Sequence, residues 1–494
     1  MEQVIRKDEE EATTHELKFP RPTSIEIKSC SNLTNFYLGS RALEFPKLRD
    51  IWIDDCPKMT ALSSSISRKS EKVIGEEDVE DNTAALFCDK IAIPDLNHLT
   101  LSSINIHKIW HHASSSSLTH LWSLRVEGCH NLKYLFPSFL LKDLVQLYSL
   151  KIKDCNMMEQ VIFTDGLGAE DPERNHTIFS NIEKLKANAR KMSLLKTFIS
   201  ISVCGDEPQI QQPTQTNDSA VLNEKVVFPR LKKLRIQNCD SLEEIIELQG
   251  LIANESQSTS ATQSIVPETV TTKFVFPLVT HLGLGKLPRL NMHNTQWPSL
   301  KEMQVIECSK AQIFGEVEIS NQQPLFCVNE DTFPVLQELT LKTSDMMKGI
   351  CDGQLSLQCF PNLILLNLQF FPETSTTLPY SFICSLPKLQ KLFINNASIS
   401  EIVRSEGLNR KERHTLAFSQ LKELSLSELP ELTLKTLSEG LINEERHTSA
   451  CYQLEALRLS QLPELTLKTL EPFLFKYGSF KMPWIHQSNG MLES

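Results

Sequence analysis

The stretch FPRLKKLRIQNCDSLEEII, from Phe228 to Ile246, decides the reading of this chain. Leu231, Leu234 and Ile236 are spaced by three and then two residues, and Cys239 follows three later. The segment Lys233–Gln237 alternates charged or polar with aliphatic residues. That period of two is a short strand, with Leu234 and Ile236 turned inward and Lys233, Arg235 and Gln237 turned to solvent. The frame L-x-x-L-x-(I/L/V)-x-x-C recurs outward from there. It stands at Leu48–Cys56, Leu121–Cys129, Leu147–Cys155 and Leu300–Cys308, and at Pro22–Cys30 with Pro in the first slot. Copies with another residue in the last slot begin at Leu336, Leu363, Leu389, Leu421 and Leu454, and looser ones at Leu96 and Val279.

The spacing makes these copies a repeat. Cys30 and Cys56 are 26 residues apart, as are Cys129 and Cys155. Wider gaps, such as Cys155 to Cys239, are expected to hold degenerate copies or insertions. An aromatic residue or Leu followed by Pro precedes many frames, at Phe45-Pro46, Phe228-Pro229, Phe276-Pro277, Trp297-Pro298, Phe333-Pro334, Phe360-Pro361 and Leu386-Pro387. A period of 20–29 residues on this pattern is the leucine-rich repeat. One strand per coil cannot bury its apolar edge alone, so the coils must stack and pair their strands in parallel. Pro is tolerated just before each strand, and it biases the preceding Phe to an extended backbone. That Phe is expected to fill the convex side. The fold class is therefore an α/β solenoid, a leucine-rich-repeat horseshoe with a parallel sheet on the concave face. Short helical, 3₁₀ or irregular segments are expected on the convex face, because several frames continue C-x-x-(L/M)-x-x-(I/V/L).

The expected organisation follows. Residues 1–18 read as the tail of a truncated repeat, since MEQVI at Met1–Ile5 repeats the Met158–Ile162 sequence found in mid-coil. That match implies a longer parent protein. Coils occupy 19–162, with a disordered insertion near 63–83. A degenerate repeat and a polar insertion fill 163–226. Further coils occupy 227–470, with insertions near 247–272, 315–330 and 405–415, and a tail takes 471–494. The insertions are rich in Ser, Thr, Gln, Glu and Asp, a composition that cannot bury a core.

Chemistry is scarce. Lys and Arg total 50 against 61 Asp and Glu, a net charge of −11, which weakens a general nucleic-acid role. No apolar stretch is long enough to span a membrane. The cysteines at the frame's last slot read as small buried packing residues. His107, His111 and His112 form a cluster that no carboxylate or thiol completes. The sequence patterns of zinc proteases, serine hydrolases and P-loop nucleotide sites are absent. The expectation is a protein with no catalytic, cofactor or metal site.

The solvent face of the strands remains. Frame positions three, five and seven present Asp50, Trp52 and Asp54 in one coil, and Lys391, Phe393 and Asn395 in a later one. The middle coils carry a basic stripe, Arg125, Lys151, Lys153, Lys233 and Arg235, inside an acidic protein. These five residues, with Trp52 and Phe393, are the candidates for contact with a partner, and the stripe suits an acidic one.

The FPxLxxLxIxxC frame and its x-x-L-x-x-(I/V) continuation resemble the C-terminal repeats of plant disease-resistance proteins of the coiled-coil, nucleotide-binding, leucine-rich-repeat class. The resemblance covers most of the chain. It implies a protein-recognition module of an intracellular immune receptor, located in the cytoplasm, with the nucleus or a membrane periphery as alternatives. Its partners would be a pathogen effector, a guarded host protein or the nucleotide-binding domain of the parent receptor. ATP or ADP would enter only through such an N-terminal domain, since this chain carries no Walker A motif. A ubiquitin-ligase substrate receptor, another adaptor outside immunity, or a truncated decoy is the alternative.

Overall fold

A computed structural model describes residues 16–39, 41–63, 85–111, 118–137, 140, 143–163, 181–188, 194–202, 224–226, 228–249, 273–292, 295–308, 314–315, 325–327, 331–342, 360–369, 378–379, 386–396, 403–404, 420–432, 442–443, 448–449 and 454–463. Two compact units divide the chain, Met1–Thr272 and Lys273–Ser494. The opening tail up to residue 15, the cores of the expected insertions and the tail 471–494 lie outside the described residues.

In the first unit seven strands form one parallel ladder. They are Ser24–Lys28, Asp50–Cys56, His98–Ile104, Ser123–Glu127, Ser149–Lys153, Lys184–Asn188 and Lys233–Gln237, each in register with the next. The second unit has its own parallel run: His281–Gly285, Glu302–Ile306, Glu338–Lys342, Leu365–Gln369, Lys391–Asn395, Glu423–Ser427 and Ala456–Ser460. Each unit is a leucine-rich-repeat solenoid. Burial alternates along the strands as the frame requires, so that Leu150 and Ile152 are buried between half-exposed Ser149, Lys151 and Lys153. Each fully buried aliphatic side chain contributes about 1.5–3 kcal/mol.

Two hydrogen-bonded turns recur at the ends of these strands. The Phe-Pro motif is the first: the Phe45 carbonyl accepts from the Leu48 amide at 3.3 Å, and Phe228, Trp297, Phe333 and Phe360 do the same for Leu231, Leu300, Leu336 and Leu363. Pro occupies the second turn position, where its fixed φ suits a tight turn. Phe228 itself takes φ of 49°, so the extended backbone expected before Pro does not hold at that coil. The aromatic residues are buried, and Phe276 stacks on Trp297 at 4.2 Å.

The second turn lies at the cysteine. The residue before it adopts a left-handed backbone, as in Asp55, Asp154, Asn238 and Glu307. Its amide adds one last rung to the ladder, for example Asp154 N–H to the Asn188 carbonyl at 3.1 Å. The chain then swings the cysteine inward. Each thiol donates to the carbonyl two residues back, at 3.4 Å for Cys56 and Cys239 and 3.5 Å for Cys155. The Cys carbonyl in turn accepts from the residue three later, closing a single turn at Leu33, Met59, Leu132, Met158 and Leu242. Beyond that turn the chain is extended rather than helical. Phe136–Pro137, Ile162–Phe163, Thr197–Ser202 and Glu244–Gln249 pair as a second, four-stranded parallel sheet.

Two expectations follow. Leu150 lies in register between Leu124 and Leu185 and is 1% exposed, so Leu150→Ala should cost about 2–5 kcal/mol in denaturant titrations. Burial pushes the Cys129 thiol up to about 12 and the Cys308 thiol up to about 11, and it raises Cys155 as well. The thiolate is the reactive form. These three residues should therefore resist a soluble maleimide at neutral pH in the native protein and react once it is unfolded, as read by mass spectrometry.

Candidate functional site

The ladder turns one row of side chains per frame position to solvent. Along the central row of the first unit the register runs Glu26, Trp52, Thr100, Arg125, Lys151, Lys186, Arg235. Four cations thus occupy four adjacent strands, about 4.8 Å apart, with no anion between them. The row above adds Lys184 beside Lys233, and the row below places Lys153 next to Glu127. Of the residues expected at a contact surface, the structure brings Arg125, Lys151, Lys153, Lys233 and Arg235 onto one face. Trp52 lies two strands from Arg125 on the same row. It is 46% exposed, with the Lys28 ammonium 4.3 Å from its ring centroid. Phe393 belongs to the second unit, half-buried between Asn367 and Ser425 in the register.

The sequence reading missed Lys184 and Lys186. Their coil, Ile182–Asn188, fills the ladder between Ser149–Lys153 and Lys233–Gln237, in the stretch expected to hold a degenerate repeat. Ile182 and Leu185 keep the frame, but Ala187 replaces the usual Ile or Leu, and Arg190 stands where other copies have Cys. The periodic slots around Leu185 were the available signal.

Electrostatics separate the cations. Glu127 receives hydrogen bonds from Arg125, at 2.7 Å, and from Lys153. Burial opposes its ionisation, yet those two cations outweigh the penalty and hold the carboxyl below its ordinary range. The same contact holds the Lys153 ammonium above the usual lysine range. Lys151 moves the other way. Burial favours its neutral form, and the neighbouring charges of Arg125, Lys186 and Lys153 add to that against the opposing pull of Glu127.

An aromatic edge borders the cations. Trp122 and Tyr148 hold the second frame position on neighbouring coils and stack at 4.6 Å and 6°. His98 meets Trp122 edge-on at 5.4 Å, and the Lys184 ammonium sits 5.1 Å from the Tyr148 centroid. Trp122 remains 44% exposed. The backbone fixes this stack, because the Trp122 carbonyl accepts both the Tyr148 and Ser149 amides, at 2.9 and 3.1 Å.

The histidine cluster makes no metal site among the described residues. Lys108–Trp110 is a strand, and His111 bonds Asp89 at 2.7 Å, while His112 lies outside the described residues. No helix among the described residues is long and apolar enough to cross a membrane.

Comparison with known proteins adds one family. The pattern described as plant disease resistance protein RPS2-like, leucine-rich repeats, matches residues 95–200 and 335–436, which include coils of both units. No curated protein sequence matches the chain. Among solved structures, an internalin (inlF) from Listeria monocytogenes is 12% identical at a TM-score of 0.24, over 79% of this chain and 81% of that one. CroV588, described as a novel circular leucine-rich-repeat structure, is 13% identical at 0.22, over 87% of this chain and 63% of its own. TLR13, in a complex with ssRNA13, is 11% identical at 0.20, over 90% and 74%.

Glu127→Gln should lower stability at neutral pH by about 0.5–1 kcal/mol, since it removes one anion shared by two cations. The native carboxyl is held low, so its contribution is present above the ordinary value of 4.5 and is lost as pH falls through the lowered one. Denaturation curves at stepped pH should show that loss in the native protein and not in the variant.

Proposed function

We propose that this chain is the protein-recognition region of a plant intracellular immune receptor of the coiled-coil, nucleotide-binding, leucine-rich-repeat class. The RPS2-like repeat match over residues 95–200 and 335–436 carries the reading. The geometry supports it. A parallel ladder spends its hydrogen bonds and apolar side chains inward and leaves a long solvent face whose residues the fold does not dictate. Such a face discriminates partners by shape and charge rather than by catalysis. On this reading it senses a pathogen effector, or a host protein that an effector modifies, from the cytoplasm. It also restrains the nucleotide-binding switch of the parent receptor until that contact is made. ATP or ADP belongs to that switch and not to these coils.

Disruption of the gene in the plant that encodes it, followed by challenge with a panel of pathogen isolates, tests the reading. Increased growth of particular isolates is the expected result. Unchanged growth across a panel that other receptors discriminate would overturn it.

A further inference from the structure

Four cations in one register row define a track, and its spacing constrains what fits along it. Arg125, Lys151, Lys186 and Arg235 span three strand spacings, about 14 Å. An extended peptide lying along the row presents same-face side chains about 6.6 Å apart, so its fourth acidic residue falls about 20 Å from the first. An α-helix with acidic residues at i, i+4, i+7 and i+11 covers about 16.5 Å over the same four. The 2 Å difference lies within the reach of long Lys and Arg side chains, whereas the 6 Å difference is not shared out so easily. An aromatic edge borders the row. Trp122 and Tyr148 immediately precede the strands Ser123–Glu127 and Ser149–Lys153 that carry Arg125 and Lys151, which places the stack at one edge of the row.

We propose that this row is a docking track for an acidic α-helix of a partner protein. The helix crosses the strands, with one stripe of carboxylates on Arg125, Lys151, Lys186 and Arg235 and an apolar side chain against the Trp122–Tyr148 stack. Charge complementarity commits the occupant. No anion stands between the four cations along the row, whose Glu26 lies three strands before Arg125, and Glu127 beside them bonds Arg125 and Lys153. The repulsion of Lys151 by Arg125 and Lys186, offset in part by Glu127, is relieved further when carboxylates arrive along the row. The same row of the second unit, Gly283, Gln304, Thr340, Asn367, Phe393, Ser425 and Arg458, has no run of cations. The track rests on the reading of the ladder face as a protein-binding surface and names the chemistry that surface selects.

Fluorescence anisotropy with the full chain tests it, using two labelled helical peptides of equal composition. One carries glutamates at i, i+4, i+7 and i+11, and the other spreads them around the helix. A single-stranded thymidine oligomer is the third probe. The striped peptide should bind roughly tenfold tighter than the spread one and tighter than the oligomer. The Lys151→Glu/Lys186→Glu variant should lose roughly tenfold or more of that affinity, and Trp122→Ala should weaken it too. Lys151→Gln/Lys186→Gln, which adds no new charge, should weaken it less. Lys301→Glu/Lys388→Glu makes the same change in net charge on the second unit and should leave binding unaltered. Equal binding of the two peptides, preference for the oligomer, or indifference to the Lys151 and Lys186 variants would overturn the track. A gene disruption without phenotype, alongside intact striped-peptide binding, would remove the immune reading and leave the track standing.

Discussion

The structure depends on the bond between one coil and the next. A coil contributes a single strand, so its backbone groups and its aliphatic edge have no partner within the coil. The neighbour supplies both. The carbonyl at the second frame position accepts two amides of the following coil, as Tyr148 does for Glu183 and Lys184, and Glu183 does for Lys232 and Lys233. Slipping the register by one residue would turn Leu150 and Ile152 to solvent and Lys151 into the core. Register is therefore fixed by burial. Every side chain is then assigned to a row by its place in the frame, whatever the length of chain between coils. Lys151 and Lys186 are strand neighbours across 35 residues of sequence, and Lys186 and Arg235 across 49. Loop closure tolerates this, because its entropic cost grows only logarithmically with length.

Row assignment gives the electrostatics their character. Like charges one strand apart repel by about 1 kcal/mol or less at a wet surface, too little to unfold a coil yet enough to be felt along a row. Two arrangements coexist on the same scaffold. In the second unit Glu423 lies between Lys391, at 3.4 Å, and Arg458, so cations and anions alternate across three strands. In the first unit Glu127 bonds Arg125 on its own strand and Lys153 on the next, while the central row runs through four cations in succession. Stability does not call for that run. The inward leucines supply far more free energy per strand than any exposed pair.

Much of this was legible in the linear sequence. The frame, its period and the inward slots predict the ladder, and even the loose copies at Leu96 and Val279 became strands, His98–Ile104 and His281–Gly285. The basic stripe was legible in outline because frame positions can be counted. What escaped were features that depend on neighbours in space. Lys184 and Lys186 were hidden because Ala187 weakens the strand pattern and Arg190 takes the cysteine slot. The Trp122–Tyr148 stack was hidden because a second-position residue has no inward or outward signature until adjacent coils are aligned. Proline before the strand was read through its missing amide. Its larger role lies in the turn that the Phe carbonyl closes onto Leu, which periodicity does not reveal.

The fold also limits where function can reside. The aliphatic slots are fixed by packing, and the cysteines by the carbonyl two residues back and by burial that keeps the thiols protonated. The residue before each of these cysteines must accept a left-handed backbone, a demand met here by Asp, Asn, Ser, Glu and Gly. Once these are satisfied, the second, third, fifth and seventh positions remain, and substitution there costs little against the core, as the small predicted cost of Glu127→Gln illustrates. They are the positions of Trp122 and Tyr148, Lys184 and Lys233, Arg125, Lys151, Lys186 and Arg235, and Lys153. A surface free to vary at little cost to the scaffold can acquire a charge pattern that the scaffold does not need, and recognition is the property such a pattern can serve.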